Sequence, residues 1–476
     1  MLPLIFPVSS HSHRCGKGST FVAIQGLVQD GISYIEDALN RGATTIVVSR
    51  DAYLDPAVVV RMEHDGIELV RVDNTRLALA QLSAQAAGYQ TKKLKLIGIT
   101  GTKGKTTTTF MTHEILRQAG YATALISTVH NSIGDQILAT NMTTPQPDYL
   151  HQFFVQCVAA GVEYVVMETA AQAMTFDRIA GLEYAVVAFT NLEREHAELY
   201  PTMTEYFDAK KQLFDCVAPD GVRIVNGDDE YGNRLAAAYS CNRISMHDTN
   251  AAWYGTCTPS TVQPNTWHMT LCGTQAGSHI AFDYQKFHGT FNGYNIMTAL
   301  AIADACGVPL DIAAHAIQQM PSIAGRFEHY ALSSGVHVVI DYAHTPASFE
   351  ALFKTVRPMT NHLTVVFGAG GGKDPVKRPL MGKLAAQYAD RVVVTTDNPR
   401  FESPEAIVRD IMAGIASVNQ EKVMIIADRQ QAIEQVLQAA PAGSYVLLLG
   451  KGPDEYQEVQ GVEIPFSEKA IVQRFV

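Results

Sequence analysis

The residues with the most definite chemical purpose are Gly98-Ile99-Thr100-Gly101-Thr102-Lys103-Gly104-Lys105-Thr106-Thr107. They follow the apolar run Leu94 to Ile99 and open a helical stretch that ends near Gly120. A bound phosphate needs several backbone N–H donors at short range, and glycine lets the chain turn and approach that closely. A helix N-terminus adds unpaired N–H groups and the positive end of its dipole. Lys105 supplies a cation for the β- and γ-phosphates, and Thr106 a hydroxyl suited to Mg²⁺. The spacing is tighter than in the standard phosphate loop, with only Thr102 and Lys103 between Gly101 and Gly104. Strand, loop and helix together predict an ATP site; a glycine-rich helix cap is the bland alternative. The loop by itself does not separate a ligase from a switch GTPase or a motor.

Other candidates lie at strand ends. Asp341, Gly368 to Lys373, Asp397 to Arg400 and Gly450 to Asp454 follow the runs Val336 to Ile340, Leu363 to Phe367, Arg391 to Thr396 and Tyr445 to Leu449. In open α/β sheets, ligands sit beyond the carboxyl ends of the strands. Asn292 and Asn295 are spaced to put both amides on one helix face, although a cap plus a surface amide would look the same. Glu168 closes the run Tyr164 to Met167. By residue type alone, Glu168 fits an ordinary turn, His196 a core or surface imidazole, and Lys210, followed by Lys211, a solvated helix lysine.

The elements that must position these groups fall into three blocks, as expected for 476 residues, too many for one ordinary core. Residues 1–88 predict strands at Thr20 to Ile24 and Thr44 to Val48 and a helix from Thr75 to Gly88, with Gln90 to Lys93 as a linker. Residues 89–325 alternate helices with the apolar runs Leu94 to Ile99, Ala122 to Ile126, Tyr164 to Met167, Ala185 to Phe189 and Val222 to Val225. That pattern predicts a parallel sheet covered on both faces. Antiparallel strands are expected within His247 to Gln285, and a helix over Asn292 to Ala305. Residues 326–476 repeat the strand–turn pattern. The fold class is therefore α/β with three domains: a central P-loop parallel-sheet domain flanked by an N-terminal α/β domain and a C-terminal Rossmann-like domain.

Bulk composition narrows the function classes. Apolar residues at 47% and charged residues at 17% describe a packed globular chain rather than a disordered one. No run is long and apolar enough to span a membrane, and Leu2 to Val8 lacks the basic leader of a signal peptide. A net charge of −11 with dispersed Lys and Arg argues against nucleic acid. The seven cysteines form neither a CxxC pair nor a metal spacing, which suggests reduced thiols in the cytoplasm.

The tight loop Thr100 to Thr107 resembles that of the Mur ligase family. Further blocks follow in that family's order: Asn141 to Pro145, Met167-Glu168, Thr190-Asn191-Leu192 with His196, Ala209-Lys210, Asn226 to Glu230, Asn292 and Asn295, Gly325-Arg326, Asp341 to Pro346, Lys377 to Gly382, Asp397 to Arg400 and Gly450 to Gly452. The resemblance spans the chain and is greatest to the UDP-MurNAc-tripeptide synthetases of the MurE type. It implies an ATP- and Mg²⁺-dependent, monomeric cytoplasmic ligase that joins a free amino acid to a UDP-linked muramyl dipeptide through an acyl phosphate. It implies that Gly101 to Thr107, Asn292, Asn295, Arg326 and Asp341 bind ATP, and that Lys105, His196 and Lys210 serve catalysis. Thr106, Glu168, His196 and a carbamylated Lys210 would hold Mg²⁺. Ser12, Thr143, Thr144 and Arg178 would contact the UDP-sugar, and Lys373, Asp397, Asn398, Arg400, Gly450 and Asp454 the incoming amino acid.

Departures from the family pattern concentrate on the substrates. His11-Ser12-His13 stands where Asp-Ser-Arg is usual, and Glu168-Thr169-Ala170-Ala171-Gln172 replaces Glu-Val-Ser-Ser-His. Glu195 and Glu198 replace aspartates. Arg400 suits the distal carboxylate of meso-diaminopimelate, which lysine lacks. Against this, Lys373 replaces an expected arginine, and Asp454, where glutamate is more usual, resembles lysine-adding members. Diaminopimelate is the favoured acid. A paralogue acting on another carboxylate, and a catalytically silent sensor of a wall precursor, are the alternatives.

Overall fold

A computed structural model describes residues 2–26, 29–261, 263, 265–274 and 278–476. Three sheets organise the described residues, with a small two-stranded hairpin beside the last.

The first sheet pairs Val8–Ser9, Thr20–Val22, Thr45–Ser49 and Glu68–Val72 in parallel. Two of these were expected. Glu68–Val72 alternates charge with apolar residues and lies half-exposed, so it lacks the apolar run that marks a buried strand. The helix Thr75–Ala86 begins at Asn74, whose side chain accepts from the Arg76 and Leu77 N–H groups.

The central sheet has eleven strands. Its parallel middle runs Asn242–Ser245, Val217–Asn226, Tyr184–Phe189, Lys95–Thr100, Tyr164–Glu168, Thr123–Ile126. Helices Lys105–Gln118, Thr290–Ala305 and Leu310–Gln319 cover one face through Met111, Ile115, Ile296, Leu300 and Ile317. Pro147–Ala159 and Met203–Asp215 cover the other through Phe153, Phe154, Leu213 and Phe214. The double covering expected from the apolar runs is present. Antiparallel strands Trp253–Pro259, Trp267–Gly273 and His279–Tyr284 extend one edge, within the segment where such strands were expected.

The last sheet orders Glu328–Ala331, His337–Asp341, Tyr445–Leu449, Leu363–Phe367, Arg391–Val394 and Val423–Ile425, parallel except for the first strand. The strand at Arg391 stops at Val394, two residues before the end of its apolar run, because the chain turns toward Asp397. Helices again lie on both faces. The hairpin Tyr456–Val459 with Val462–Pro465 gave no apolar signal in the sequence. Among the described residues no helix is long and apolar enough to cross a membrane.

Helices Arg429–Ala439 and Glu468–Gln473 are tied together beneath this sheet by an ion pair. Arg429 Nε donates to Glu468 Oε1 at 2.8 Å and its Nη2 to the Leu449 carbonyl at 2.8 Å. Both side chains are essentially unexposed. Removing one partner of such a pair leaves an uncompensated buried charge. Arg429→Ala should destabilise the chain by about 3–5 kcal/mol in urea unfolding, whereas Arg429→Met with Glu468→Leu should recover most of that loss. Equal stability of Arg429→Ala and the parent would refute the assignment.

Candidate active site

The phosphate loop leaves the carboxyl end of Lys95–Thr100 and enters the helix Lys105–Gln118. Gly101 and Gly104 have φ of 144° and 85°, in the region that disfavours side chains. Space also forbids them: a Cβ on Gly101 would collide with Thr190 Oγ1, and one on Gly104 with Asn295 Oδ1. The neighbouring strand end clamps the loop. Thr102 N–H donates to the Asn191 carbonyl at 2.8 Å, Lys103 N–H to Asn191 Oδ1 at 2.9 Å, and Thr190 Oγ1 to the Lys103 carbonyl at 2.6 Å.

Lys105 Nζ donates to the carbonyls of Gly101 and Thr102, at 3.0 and 2.9 Å. Burial lowers its pKa, and Glu168 and Glu195 oppose that shift. Glu168 is fully buried at the end of Tyr164–Glu168. It accepts from Thr106 Oγ1 at 3.0 Å, from Thr128 N–H at 2.7 Å and from Thr128 Oγ1 at 3.2 Å. Thr106 and Glu168 thus present adjacent hard oxygen donors, the type Mg²⁺ prefers.

A cleft continues from the loop to the last sheet. It is lined by Thr102 to Thr107, Thr128, Thr143, Glu168, Glu195, His196, Asn292, Asn295, Arg326, Asp341, Tyr342 and His344, among others. Asn295 Nδ2 donates to Asn292 Oδ1 at 2.9 Å, so the two amides on one helix face form a single unit. Arg326 reaches across to Thr106 Oγ1 at 3.2 Å and lies over the Tyr342 ring. Asp341 accepts from the N–H groups of Phe327 and Ala343, both at 2.8 Å, and burial raises its pKa.

A second cavity is lined by Lys373, Asp397, Asn398, Arg400, Gly450 and Asp454, with Lys377 and Glu198. Glu195, His196, Tyr342 and His344 line both cavities. Glu195 accepts from Lys103 Nζ at 3.1 Å and from His344 Nε2 at 2.8 Å. Burial raises its pKa, but Lys103 and His344 outweigh burial and hold the carboxylate well below its usual range. One half-buried carboxylate therefore joins the loop to the last sheet. His196, at φ 56°, bonds Glu198 through Nδ1 at 3.3 Å, and burial lowers its pKa. Asp454 is pushed up to about 6 by burial.

The remaining candidates, Thr143 apart, lie outside these walls. Lys210 is 1% exposed, so a solvated helix lysine is not what stands there. Its Nζ donates to the Gly101 carbonyl at 2.8 Å and lies 4.4 Å from the Tyr206 ring centre. Burial and then Lys105 pull its pKa well down. It supports the loop from beneath and does not line the cleft. Thr144 Oγ1 donates to the Glu168 carbonyl and accepts from Ala170 N–H, at 2.9 and 3.1 Å. Arg178 donates to the Thr144 carbonyl at 2.9 Å. Thr144 and Arg178 thus brace the end of the Glu168 strand, while Thr143 faces the cleft and meets Thr128 Oγ1 at 3.1 Å. Ser12 is buried in the short turn Ser12–Arg14 of the first sheet's unit and lines neither cavity. Thr128, Tyr342, Lys377 and the bridging roles of Glu195 and His344 were not read from sequence; for Glu195 the signal was its place beside His196.

Loop, helix N-terminus and a cleft completed by a second α/β unit define an ATP-dependent enzyme with an adjoining cavity. The model of the Mur ligase family catalytic domain matches residues 7–87, that of the Mur ligase middle domain 99–303, and that of the Mur ligase glutamate ligase domain 325–452. The UDP-N-acetylmuramoyl-L-alanyl-D-glutamate–2,6-diaminopimelate ligase of Geobacillus kaustophilus is 37% identical, covering 100% of this chain and 95% of that protein. The enzyme of the same name from Aquifex aeolicus is 35% identical over 98% and 93%. A solved structure of a ligase of that name superposes with a TM-score of 0.66 at 26% identity, covering 99% of this chain and 94% of that one. The MurF ligase from Thermotoga maritima in complex with ADP, at 16% identity, shares the fold with a TM-score of 0.65 over 94% of each chain. The chain belongs to the Mur ligase family, whose members form amide bonds with ATP.

Gly104→Ala should raise KM for ATP at least about tenfold, because left-handed strain adds to the collision with Asn295. An unchanged KM would show that the loop does not approach the phosphates.

Proposed function

We propose that this chain adds meso-diaminopimelate, in preference to L-lysine, to UDP-MurNAc-L-Ala-D-Glu during peptidoglycan synthesis. The observation that carries this reading is the shared wall of Glu195, His196, Tyr342 and His344 between the phosphate-loop cleft and the cavity that holds Arg400. The printed names of the relatives at 37% and 35% identity support the same substrates. Domains at 1–88, 89–325 and 326–476 fit the three sheets.

A carboxylate is a poor electrophile, so it must be activated before an amine can attack. The dipeptide carboxylate takes the γ-phosphoryl group and ADP leaves; the amine then opens the acyl phosphate and inorganic phosphate departs. Bringing two anions together calls for cations and fixed donors. Lys105, the loop N–H groups and Arg326 supply these on the nucleotide side. Thr106 and Glu168 suit Mg²⁺, which would neutralise charge on the phosphates. In this reading Asn292 and Asn295 take the adenine and Asp341 the ribose. In the acceptor cavity Arg400 offers a bidentate edge for a carboxylate, and Asp397 and Asp454 offer acceptors for ammonium groups.

The test is phosphate release from ATP. It should require both UDP-MurNAc-L-Ala-D-Glu and diaminopimelate, and Lys105→Ala should abolish it. Release with neither partner would sink the ligase reading.

Lys210 bears on the metal set. An amine can bind CO₂ only when neutral, and burial, which lowers the Lys210 pKa, favours that form. As a carbamate, Lys210 could join His196 in holding a second Mg²⁺. Enzyme grown with ¹³C-bicarbonate should show a carbamate carbon that Lys210→Ala lacks, and short carboxylates should restore part of that variant's activity. Absence of both signal and rescue would remove Lys210 from this role.

A further inference from the structure

Arg400 is held by the hairpin Tyr456–Val459 with Val462–Pro465. Arg400 sits at φ 54°, an unfavourable backbone conformation for a side chain this large. Three bonds from the hairpin fix it there. Arg400 N–H donates to the Glu458 carbonyl at 3.0 Å, Gln460 N–H to the Arg400 carbonyl at 2.8 Å, and Arg400 Nε to Glu458 Oε2 at 2.9 Å. Arg400 Nη1 also donates to the Gly371 carbonyl at 2.9 Å. The same hairpin grips the rest of the turn. Glu458 N–H donates to Asn398 Oδ1 at 3.0 Å, and Gln457 Nε2 to the Asp397 carbonyl at 3.2 Å.

We infer that Glu458 is a positioning residue for amino-acid selection. The claim rests on the proposed role of Arg400. A guanidinium on a long stem has many rotamers, and only a fixed one presents its planar fork to a carboxylate. Glu458 takes the Nε–H and the Gly371 carbonyl takes an Nη1–H. The Nη2 side and the remaining Nη1–H are then left, among the described residues, for a ligand in the cavity that Arg400 lines. Glu458 does not line that cavity, so it acts through Arg400 rather than on the substrate. Its carboxylate also offsets the arginine's charge. The distal carboxylate of the substrate then gains more from the geometry of Arg400 than from unbalanced charge, and Lys373 across the turn adds the second cation.

The experiment measures kcat/KM for diaminopimelate and for lysine in the full-length enzyme. Glu458→Ala should lower the diaminopimelate-over-lysine ratio about tenfold, through KM, with KM for ATP unchanged. Glu458→Gln keeps an acceptor for Nε–H and should restore the ratio to within about threefold of the parent. An unchanged ratio in Glu458→Ala would overturn the inference. So would Glu458→Gln falling as far as Glu458→Ala, or equal losses for both amino acids with a lowered melting temperature. Arg400→Ala separates the two levels. If it leaves the ratio intact, the reading of Arg400 fails and Glu458 falls with it. If Arg400→Ala collapses the ratio while Glu458→Ala does not, only the positioning role is lost.

Discussion

The phosphate loop of this protein is crowded on both sides by other segments, and that crowding governs the site. Thr190 and Asn191 press on it from the next strand end, and Asn295 presses from the helix Thr290–Ala305. Only glycine at 101 and 104 fits between them, and the backbone N–H groups are thereby fixed in place before any ligand arrives. Preorganised donors of this kind stabilise developing charge without reorganising during the reaction. The same contacts tie the Asn292 and Asn295 amides to the phosphate loop, since Asn295 lies against Gly104 and bonds both Thr108 and Asn292.

Beside the loop a single carboxylate reaches outward. Glu195 ties Lys103 of the loop to His344 of the last sheet, and Arg326 makes a second crossing to Thr106. His344 faces an oxygen at each ring nitrogen, the Tyr342 carbonyl at 2.7 Å and Glu195 at 2.8 Å, while burial lowers its pKa. Lys103 and His344 flank the Glu195 carboxylate along the seam. A buried carboxylate with one cationic neighbour removed would be left poorly compensated. The contact between the two units therefore runs through groups of the phosphate loop itself.

What the sequence revealed and what it hid divide along physical lines. Apolar runs of strand length exposed the parallel core of the central and last sheets, because buried strands have no polar face to mask them. The half-exposed strand Glu68–Val72 and the hairpin around Glu458 lack that signature and were silent. Motif spacing located Lys105, Glu168 and the Asp397 to Arg400 turn. It could not show that Lys210 lies beneath the loop while its neighbour Lys211 sits closer to solvent, since helix periodicity fixes a face only when its partner is known. Nor could it show that Glu195, mentioned only as a replaced aspartate, joins the two cavities. That role arises from His344, nearly 150 residues away in sequence.

The substitutions on the donor side look less disruptive once their surroundings are considered. His11 and His13 replace charged residues, yet the turn they occupy is anchored elsewhere. Buried Asp148, in the first turn of the helix Pro147–Ala159, accepts from Ser9 Oγ at 3.1 Å, Ser10 N–H at 2.9 Å and Ser10 Oγ at 3.2 Å. Burial raises its pKa, but His11 and the Ser10 N–H outweigh that and hold it low. This carboxylate fastens the first unit to the central one without help from position 13. At Ala170 and Ala171 the lost hydroxyls belong to side chains, while the backbone of Ala170 still donates to Thr144. The frame around the donor is thus built from backbone groups, Asp148 and Thr144. The altered residues leave that frame intact.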